Sequence, residues 1–177
     1  MAGVIDKDLG YKRIIESLDV LGDLLVTIGI HASAEPYVKG QDASANVAQI
    51  AAFHEFGDGV PQRSFVRPTV DGQQAAYAAT LAKGMGKVID GDLTPKMLGG
   101  LIGLQVQKDI QRAIVDLSDP PLADSTIASK TAAGGLTGKK AKSYADAGAN
   151  PLINTGHMRQ SVTWVVDTSG RRRKAED

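Results

Sequence analysis

The residues most capable of chemistry in this chain are His54 and Glu55. An adjacent His-Glu pair begins the zinc-protease helix motif, in which a second histidine four residues on completes the metal pair and the glutamate acts as base. Asp58 stands where that second histidine belongs, and the other histidines, His31 and His157, lie at no ligand spacing. We therefore predict no metal site and interpret His54 as a helix-end histidine whose charge the helix dipole favours. The alternative from the enzyme class is a small hydrolase using His54 and Glu55, although no nucleophile or metal is visible to complete it.

Two further patterns resemble functional motifs without completing them. A phosphate-binding loop would need glycine where Ala133 stands, serine or threonine where Lys140 stands, and a preceding hydrophobic strand. Ser161, His157 and Asp167 have the residue types of a hydrolytic triad, but they follow one another along a single helix-to-strand passage without a nucleophile elbow. The sequence therefore predicts no catalytic residue and no cofactor.

Hydrophobic periodicity predicts the elements that position these residues. Helices are predicted over Asp8–Gly22, Ala45–Phe56, Thr69–Ile89 (where helix propensity is good as far as Gly84) and Lys96–Leu117. A helical turn is predicted over Asn154–Gln160, and strands over Leu24–Ala32 and Ser161–Val166. The region from Asp119 to Asn150 is poor in large apolar residues, so we expect an extended or mobile insertion there.

Two of the predicted helices carry specific packing expectations. The first has an apolar face that we expect to be buried, formed by Tyr11, Ile14, Ile15, Leu18 and Leu21. The fourth has a buried stripe formed by Leu98, Leu101, Ile102, Val106, Ile110, Ala113, Ile114 and Leu117. On that fourth helix, Gly99, Gly100 and Gly103 are expected to permit the close approach of a neighbouring backbone.

Length and composition bound the domain organisation and the partners. At 177 residues the chain suits a single domain, predicted over residues 1–170 and followed by a basic, disordered tail at 171–177. Twenty Lys and Arg balance twenty Asp and Glu, so no overall charge draws the protein to nucleic acid or membranes. Because neither a secretory signal nor an apolar span of membrane length is visible, we expect a protein made in the cytoplasm without membrane contact. The absence of cysteine excludes disulfides and thiolate sites, and aromatic residues at 5% predict a thin core that benefits from partners.

The segment Pro61–Pro68 has the composition of a rigid contact surface. Its two terminal prolines restrict the chain and lower the entropic cost of holding one shape. Phe65 lies between Arg63 and Arg67, two side chains suited to bidentate pairing with carboxylates. Glu55, at the end of the preceding helix, is a candidate partner for them in the same chain or the next.

Three separated stretches resemble one family. The first block is IAAFHEFGDGVPQRSFVRPTV (residues 50–70), the second is PPLADSTIASK (120–130), and the third is PLINTGHMRQSVTWVV (151–166). In this order they resemble the neck and tail-completion proteins of tailed bacteriophages, the virion-morphogenesis group of Mu-like and related phages. The chain departs from the family pattern at His157 and Met158, where a polar residue and leucine are commoner, and neither the segment after Lys130 nor the basic tail aligns.

The resemblance implies a non-enzymatic subunit with an α+β fold, in which a small, mainly antiparallel sheet packs on one or two long helices with long loops. Such subunits form rings of six or twelve copies in the virion neck, between the DNA-filled head and the tail. The implied partners are head-closure or connector proteins and tail terminator or tail tube proteins, and packaged DNA is a further candidate. A tail terminator or head-closure ring is the alternative within the same class. Predicted interface residues are Glu55, Phe56, Gly57, Pro61, Arg63, Phe65, Arg67, Pro68, Thr155, Gly156 and Arg159.

Basic residues supply the candidate contacts with DNA or an acidic partner. These residues are Lys139, Lys140, Lys142, Arg171, Arg172, Arg173 and Lys174. We expect the stretch from Lys130 to Lys142 to become ordered on contact with a neighbouring virion protein or DNA. For the tail, a solvated terminus is the simpler interpretation, and a DNA-binding accessory protein with salt-sensitive binding is the remaining alternative.

Overall fold

The structure is a computed structural model that describes residues 10–31, 46–134, 137–140, 142, 150–153 and 156–168. Its elements in chain order are α1 (Tyr11–Gly22), β1 (Leu25–Ile30), α2 (Val47–Phe56), α3 (Arg67–Asp90), α4 (Pro95–Asp116), α5 (Asp124–Ala133), α6 (His157–Gln160) and β2 (Val162–Asp167). Within these residues, no helix is both long and apolar enough to span a membrane.

The fold is α+β, as the sequence predicts. β1 and β2 pair as a two-stranded antiparallel sheet that packs with the helices. β2 alternates as the sequence predicts, since Val162 is buried while Thr163 and Val165 are exposed. β1 alternates over Leu25–Ile28 and is half-buried at its last two residues. Because 131 residues separate the end of β1 at Ile30 from the start of β2 at Val162, the sheet forms by a non-local pairing.

The chain divides into two compact units, each assembled from separated stretches. The first comprises residues 1–27, 74–105 and 164–177, and the second comprises residues 28–73 and 106–163. The single domain predicted over residues 1–170 stays a prediction.

In the first unit, the glycines of α4 lie against β2. A Cβ added at Gly103 would come within 2.7 Å of the Trp164 indole, and one added at Gly99 would come within 3.1 Å of Val166. The close approach predicted at these glycines is therefore present, but the neighbours are the side chains of β2 rather than a backbone. Glycine is required because any larger residue would displace the indole.

The apolar face of α1 differs from its prediction. No residue of this helix is buried, and Tyr11 is 71% exposed. Arg13 of α1 donates a hydrogen bond from Nη2 to the carbonyl of Ile89, at 3.2 Å. Periodicity predicted the helix and its apolar stripe correctly, but it did not predict how much of that stripe the rest of the chain covers.

The core follows the predicted stripe of α4 for most of its length. The buried members of that stripe are Leu98, Ile102, Val106, Ile110 and Ile114. Leu101 was expected among them and is instead 51% exposed. In the second unit, Val47 of α2 and Phe65 of the following loop are also buried.

The region 119–150 contains a helix where the sequence predicted an extended or mobile insertion. α5 spans Asp124–Ala133, and Lys130 near its end donates to the carbonyls of Asn150 and Ile153, at 3.0 and 2.9 Å. The composition was misleading because alanine and lysine are good helix formers even where large apolar residues are scarce.

Candidate functional site

The site begins at the C-terminus of α2. Gly57 ends the helix in the left-handed conformation, with φ of 75°, and its N–H donates to the carbonyl of Phe53 at 2.8 Å. A Cβ at Gly57 would lie 2.9 Å from Cβ of Gln62, so the returning chain also requires glycine here. This tight turn brings the Pro61–Pro68 segment back along the helix that precedes it.

The carboxylate of Glu55 holds that returning segment. Its Oε2 accepts from the backbone N–H groups of Phe65 and Val66, at 2.8 and 3.0 Å. Its Oε1 accepts from Ser64 Oγ at 2.6 Å and from the N–H of Arg67 at 3.0 Å. Four donors therefore converge on one side chain.

Burial raises the pKa of Glu55, but the hydrogen bonds from Ser64 and from the backbone of Val66, Arg67 and Phe65 outweigh it and hold the pKa below its usual value. The carboxylate is therefore fixed in its charged form at neutral pH.

Glu55 also caps α3. This helix begins at Arg67, and the N–H groups of its first turn have no partner within the helix. The carboxylate satisfies the first of them and places a negative charge at the positive end of the helix dipole. Pro68, which the sequence analysis placed in the loop, lies in the first turn of the helix, where a missing N–H costs nothing.

Arg63 has a different role from the one predicted. It is only 5% exposed, and its guanidinium donates from Nε to the carbonyl of Pro120 and from Nη2 to that of Pro121, at 2.9 and 3.0 Å. Its backbone N–H donates to the carbonyl of His54 at 2.7 Å. The pairing with carboxylates of a neighbouring subunit is therefore wrong for Arg63, because its donors bind carbonyls of its own chain. The guanidinium joins the first block to the second.

The interface prediction is also wrong for Phe65, because this side chain is 2% exposed and lies in the core of its own chain. Phe56, by contrast, is 66% exposed at the end of α2. Beside Phe56 lies a cavity of about 500 Å³, whose lining also includes Ala52, Val70 and Ile28.

The remaining predicted interface residues fall into two groups. Pro61, Arg67, Pro68 and Arg159 are exposed, whereas Gly57 and Gly156 are half-buried. Gly156 has φ of 77° and precedes the short helix α6. Thr155 lies outside the described residues.

A second cavity brings the three blocks together. It has a volume of about 380 Å³, and its lining takes Ile50 and His54 from the first block, Thr126, Ser129 and Lys130 from the second, and Pro151, Leu152 and Met158 from the third, together with Ala133. Residues separated by up to about a hundred positions in the chain therefore line the same cavity. No pattern in the sequence indicated this cavity, although the three blocks contain most of its residues.

His54 and Lys130 are the ionisable groups in that lining. The pKa of His54 is lowered, first by burial and then by the charges of Arg63 and Lys130, and its Nδ1 is buried with no hydrogen-bond partner among the described residues. The pKa of Lys130 is lowered by burial and by the charge of Arg63. The expectation that the helix dipole favours a charged His54 is therefore wrong, because desolvation and two nearby cations act in the opposite direction.

Sequence reasoning missed a polar connection to the third block. Asn150 Nδ2 donates to the carbonyl of Ile114, at 3.0 Å, while its Oδ1 accepts from the N–H of Leu152, at 2.9 Å. In the sequence Asn150 only marks the end of the region that begins at Asp119, because an asparagine before a proline is typical of a turn and does not identify a distant carbonyl partner.

The structure also places most of the other residues singled out in the sequence. Ser161 Oγ donates to the backbone carbonyl of His157, at 2.9 Å, as is common for a serine at a helix end. Within the described part of the chain, no three His, Asp or Glu side chains are placed to hold a metal ion. Lys139, Lys140 and Lys142 are exposed. The tail residues Arg171, Arg172, Arg173 and Lys174 lie outside the described residues.

Compared with known protein families, curated proteins and solved structures, the chain matches none of them.

Proposed function

We propose that this protein is a structural subunit of a tailed-phage neck, which forms a ring that completes the tail and joins it to the DNA-filled head. The observation that carries the proposal is the meeting of the three blocks around one cavity, through hydrogen bonds to backbone groups. Buried or half-buried polar side chains that hold loops in place are what a rigid assembly subunit requires. The family resemblance of the same three blocks supplies the virion role.

The environment of Glu55 supports the non-enzymatic interpretation. A hydrolase that used Glu55 as general base would need a free carboxylate within reach of a substrate proton. Here four donors occupy that carboxylate, and the hydrogen bonds keep its pKa low. Glu55 is thus better suited to fixing the start of α3 than to accepting a proton.

The exposed side of the first block is the proposed ring interface. Phe56 is exposed next to the cavity of about 500 Å³, and Arg67 and Pro68 lie at the start of the helix that borders it. A neighbouring subunit would bury Phe56 and fill that cavity, because aromatic side chains beside pockets supply most of the binding energy of an interface. The two-stranded sheet offers a second route, since each of its strands has an edge that a neighbour's strand can pair with.

The neighbours of the ring are proposed to be head-closure or connector proteins on one side and tail terminator or tail tube proteins on the other. The exposed residues Lys139, Lys140 and Lys142 are proposed to contact packaged DNA or an acidic surface of one of these proteins. A tail terminator or head-closure ring remains the alternative position for the same subunit.

The experiment that tests the proposal is complementation of a phage that lacks this gene product, with joined virions counted by electron microscopy. Phe56→Ala should leave the monomer folded by circular dichroism and abolish joining. Phe53→Ala is the matched control, because Phe53 lies on the same helix with 42% exposure and is not a predicted interface residue. Normal joining by Phe56→Ala would refute the interface, and normal virions without any copy of the protein would refute the function.

A further inference from the structure

The cavity of about 380 Å³ in the second unit has a polar side and an apolar side. His54 of α2 and Lys130 of α5 supply the polar side. The apolar side is formed by Ile50, Leu152 and Met158. A space of this size exceeds that of a few water molecules and falls within the range of small-molecule sites.

The polar side has an excess of positive charge. Lys130 lines the cavity, and Arg63 lies close enough for its charge to act on both Lys130 and His54. None of the described side chains that line the cavity is acidic. Arg63 and Lys130 bind backbone carbonyls, which stabilise the cations through dipoles, and neither cation pairs with a carboxylate among the residues that the structure describes.

Among the described residues, one donor of Lys130 remains for a ligand. An ammonium group has three N–H donors, and Lys130 uses two of them, for the carbonyls of Asn150 and Ile153. Nδ1 of His54 also has no partner among the described residues, but this atom has almost no accessible surface, so a ligand in the cavity does not reach it. An acceptor in the cavity would satisfy the remaining Lys130 donor.

We propose that this cavity is a binding site for a small carboxylate with a short apolar chain. The carboxylate would accept from Lys130, while its chain would contact Ile50, Leu152 and Met158. Inorganic phosphate would satisfy the charge but would leave the apolar side of the cavity unfilled, so it should bind more weakly. The site does not depend on the proposed virion function.

Titration of the purified protein with butyrate tests the site. Binding is measured by isothermal calorimetry and by the side-chain NMR signals of His54. Butyramide, which has nearly the same shape without the charge, is the matched ligand control. We expect saturable binding of butyrate that shifts the His54 signals, and binding of butyramide at least about tenfold weaker, because one charge-assisted contact is lost. No saturable binding of butyrate, or equal binding of the two ligands, would overturn the proposal.

Variants at the end of α5 locate the binding. Ala133 lines the cavity and is exposed, so Ala133→Glu should leave the fold intact and weaken butyrate binding roughly tenfold or more through like-charge repulsion. Ala132→Glu is the control, since Ala132 is exposed on the same helix and does not line the cavity. Equal affinity of both variants for butyrate would place the ligand elsewhere and would refute the assignment.

The same chemistry is offered by a free carboxylate and by a glutamate side chain of another protein. A capped Ala-Glu-Ala peptide distinguishes them: tighter binding than butyrate would identify a protein side chain as the ligand, and weaker binding would identify a free small carboxylate.

Discussion

Replacing Glu55 with glutamine tests whether this side chain is a structural clamp. The glutamine amide retains one acceptor oxygen. Its NH₂ group replaces the second carboxylate oxygen and faces the donors that this oxygen accepts from in the wild type. Two of the four hydrogen bonds are lost, together with the charge at the start of α3. A hydrogen bond to a charged group contributes about 1.5–3 kcal/mol, and the site is half-buried, so we expect the two lost bonds to cost near the lower limit, about 3 kcal/mol in total.

Urea unfolding followed by far-UV circular dichroism measures this loss. With a slope of about 1–3 kcal/mol per molar urea, the midpoint of Glu55→Gln should fall by roughly 1–2 M while the slope stays unchanged. Glu16→Gln is the matched control, because Glu16 is exposed on α1, and its effect should stay within about 0.5 kcal/mol. If Glu55→Gln unfolds at the same urea concentration as Glu16→Gln, the clamp has no energetic importance and the reasoning fails.

The effect of Glu55→Gln on the unfolding free energy should also depend on pH. Because hydrogen bonds lower the pKa of Glu55 in the folded protein, its stabilisation is fully present above the ordinary carboxyl pKa of about 4.3. That stabilisation is lost as the pH falls through the lowered pKa of the folded state. The difference in unfolding free energy between the wild type and Glu55→Gln should therefore shrink below about pH 4. A difference that stays constant between pH 7 and pH 3 would contradict the charged clamp.

Three further comparisons test the remaining contacts. Phe65→Ala should cost about 3–5 kcal/mol in urea unfolding, whereas Phe56→Ala should change stability by less than about 1 kcal/mol, and equal losses would contradict the assignment of one ring to the core and the other to the surface. Gly103→Ala should destabilise by about 1–3 kcal/mol because its Cβ would meet the indole of β2 at 2.7 Å, while Gly86→Ala, with nothing within 4 Å, should raise the melting temperature. Because the folded state lowers the pKa of His54, the unfolded chain binds the proton first, so wild-type stability should fall as the pH drops below about 6.5. His54→Gln should lose less stability between pH 7.5 and 5.5, and identical losses would show that His54 does not titrate as described.

The elements of this protein other than α5 could be predicted from the sequence because they are encoded locally. The alternation in β1 and β2 and the stripe of α4 follow from side-chain periods of two and 3.6 residues. Gly57 marked the end of α2 because few other residues adopt the left-handed conformation at low cost. Burial was predicted less well, and Leu101 and Tyr11 are exposed because burial depends on what packs against a face and not on the face alone.

The roles of individual polar residues could not be predicted in the same way. A glutamate followed by two arginines within twelve residues suggests ion pairs, because opposite charges attract whatever their exact spacing along the chain. In the structure Glu55 binds backbone N–H groups and Arg63 binds carbonyls of a segment 57 residues away. Backbone donors and acceptors are present at every position, so the sequence does not distinguish the ones that a side chain will reach.

By itself, therefore, the sequence determined the α+β class, the order of the helices and strands apart from α5, and the three blocks, because these depend on local periods, turn residues and short motifs. Only the tertiary structure decided that the blocks surround one cavity, that Phe65 is buried while Phe56 is exposed, and that His54 lies among cations. These properties depend on distances between residues far apart in the chain, which are set by the packing of the whole unit and carry no local signal.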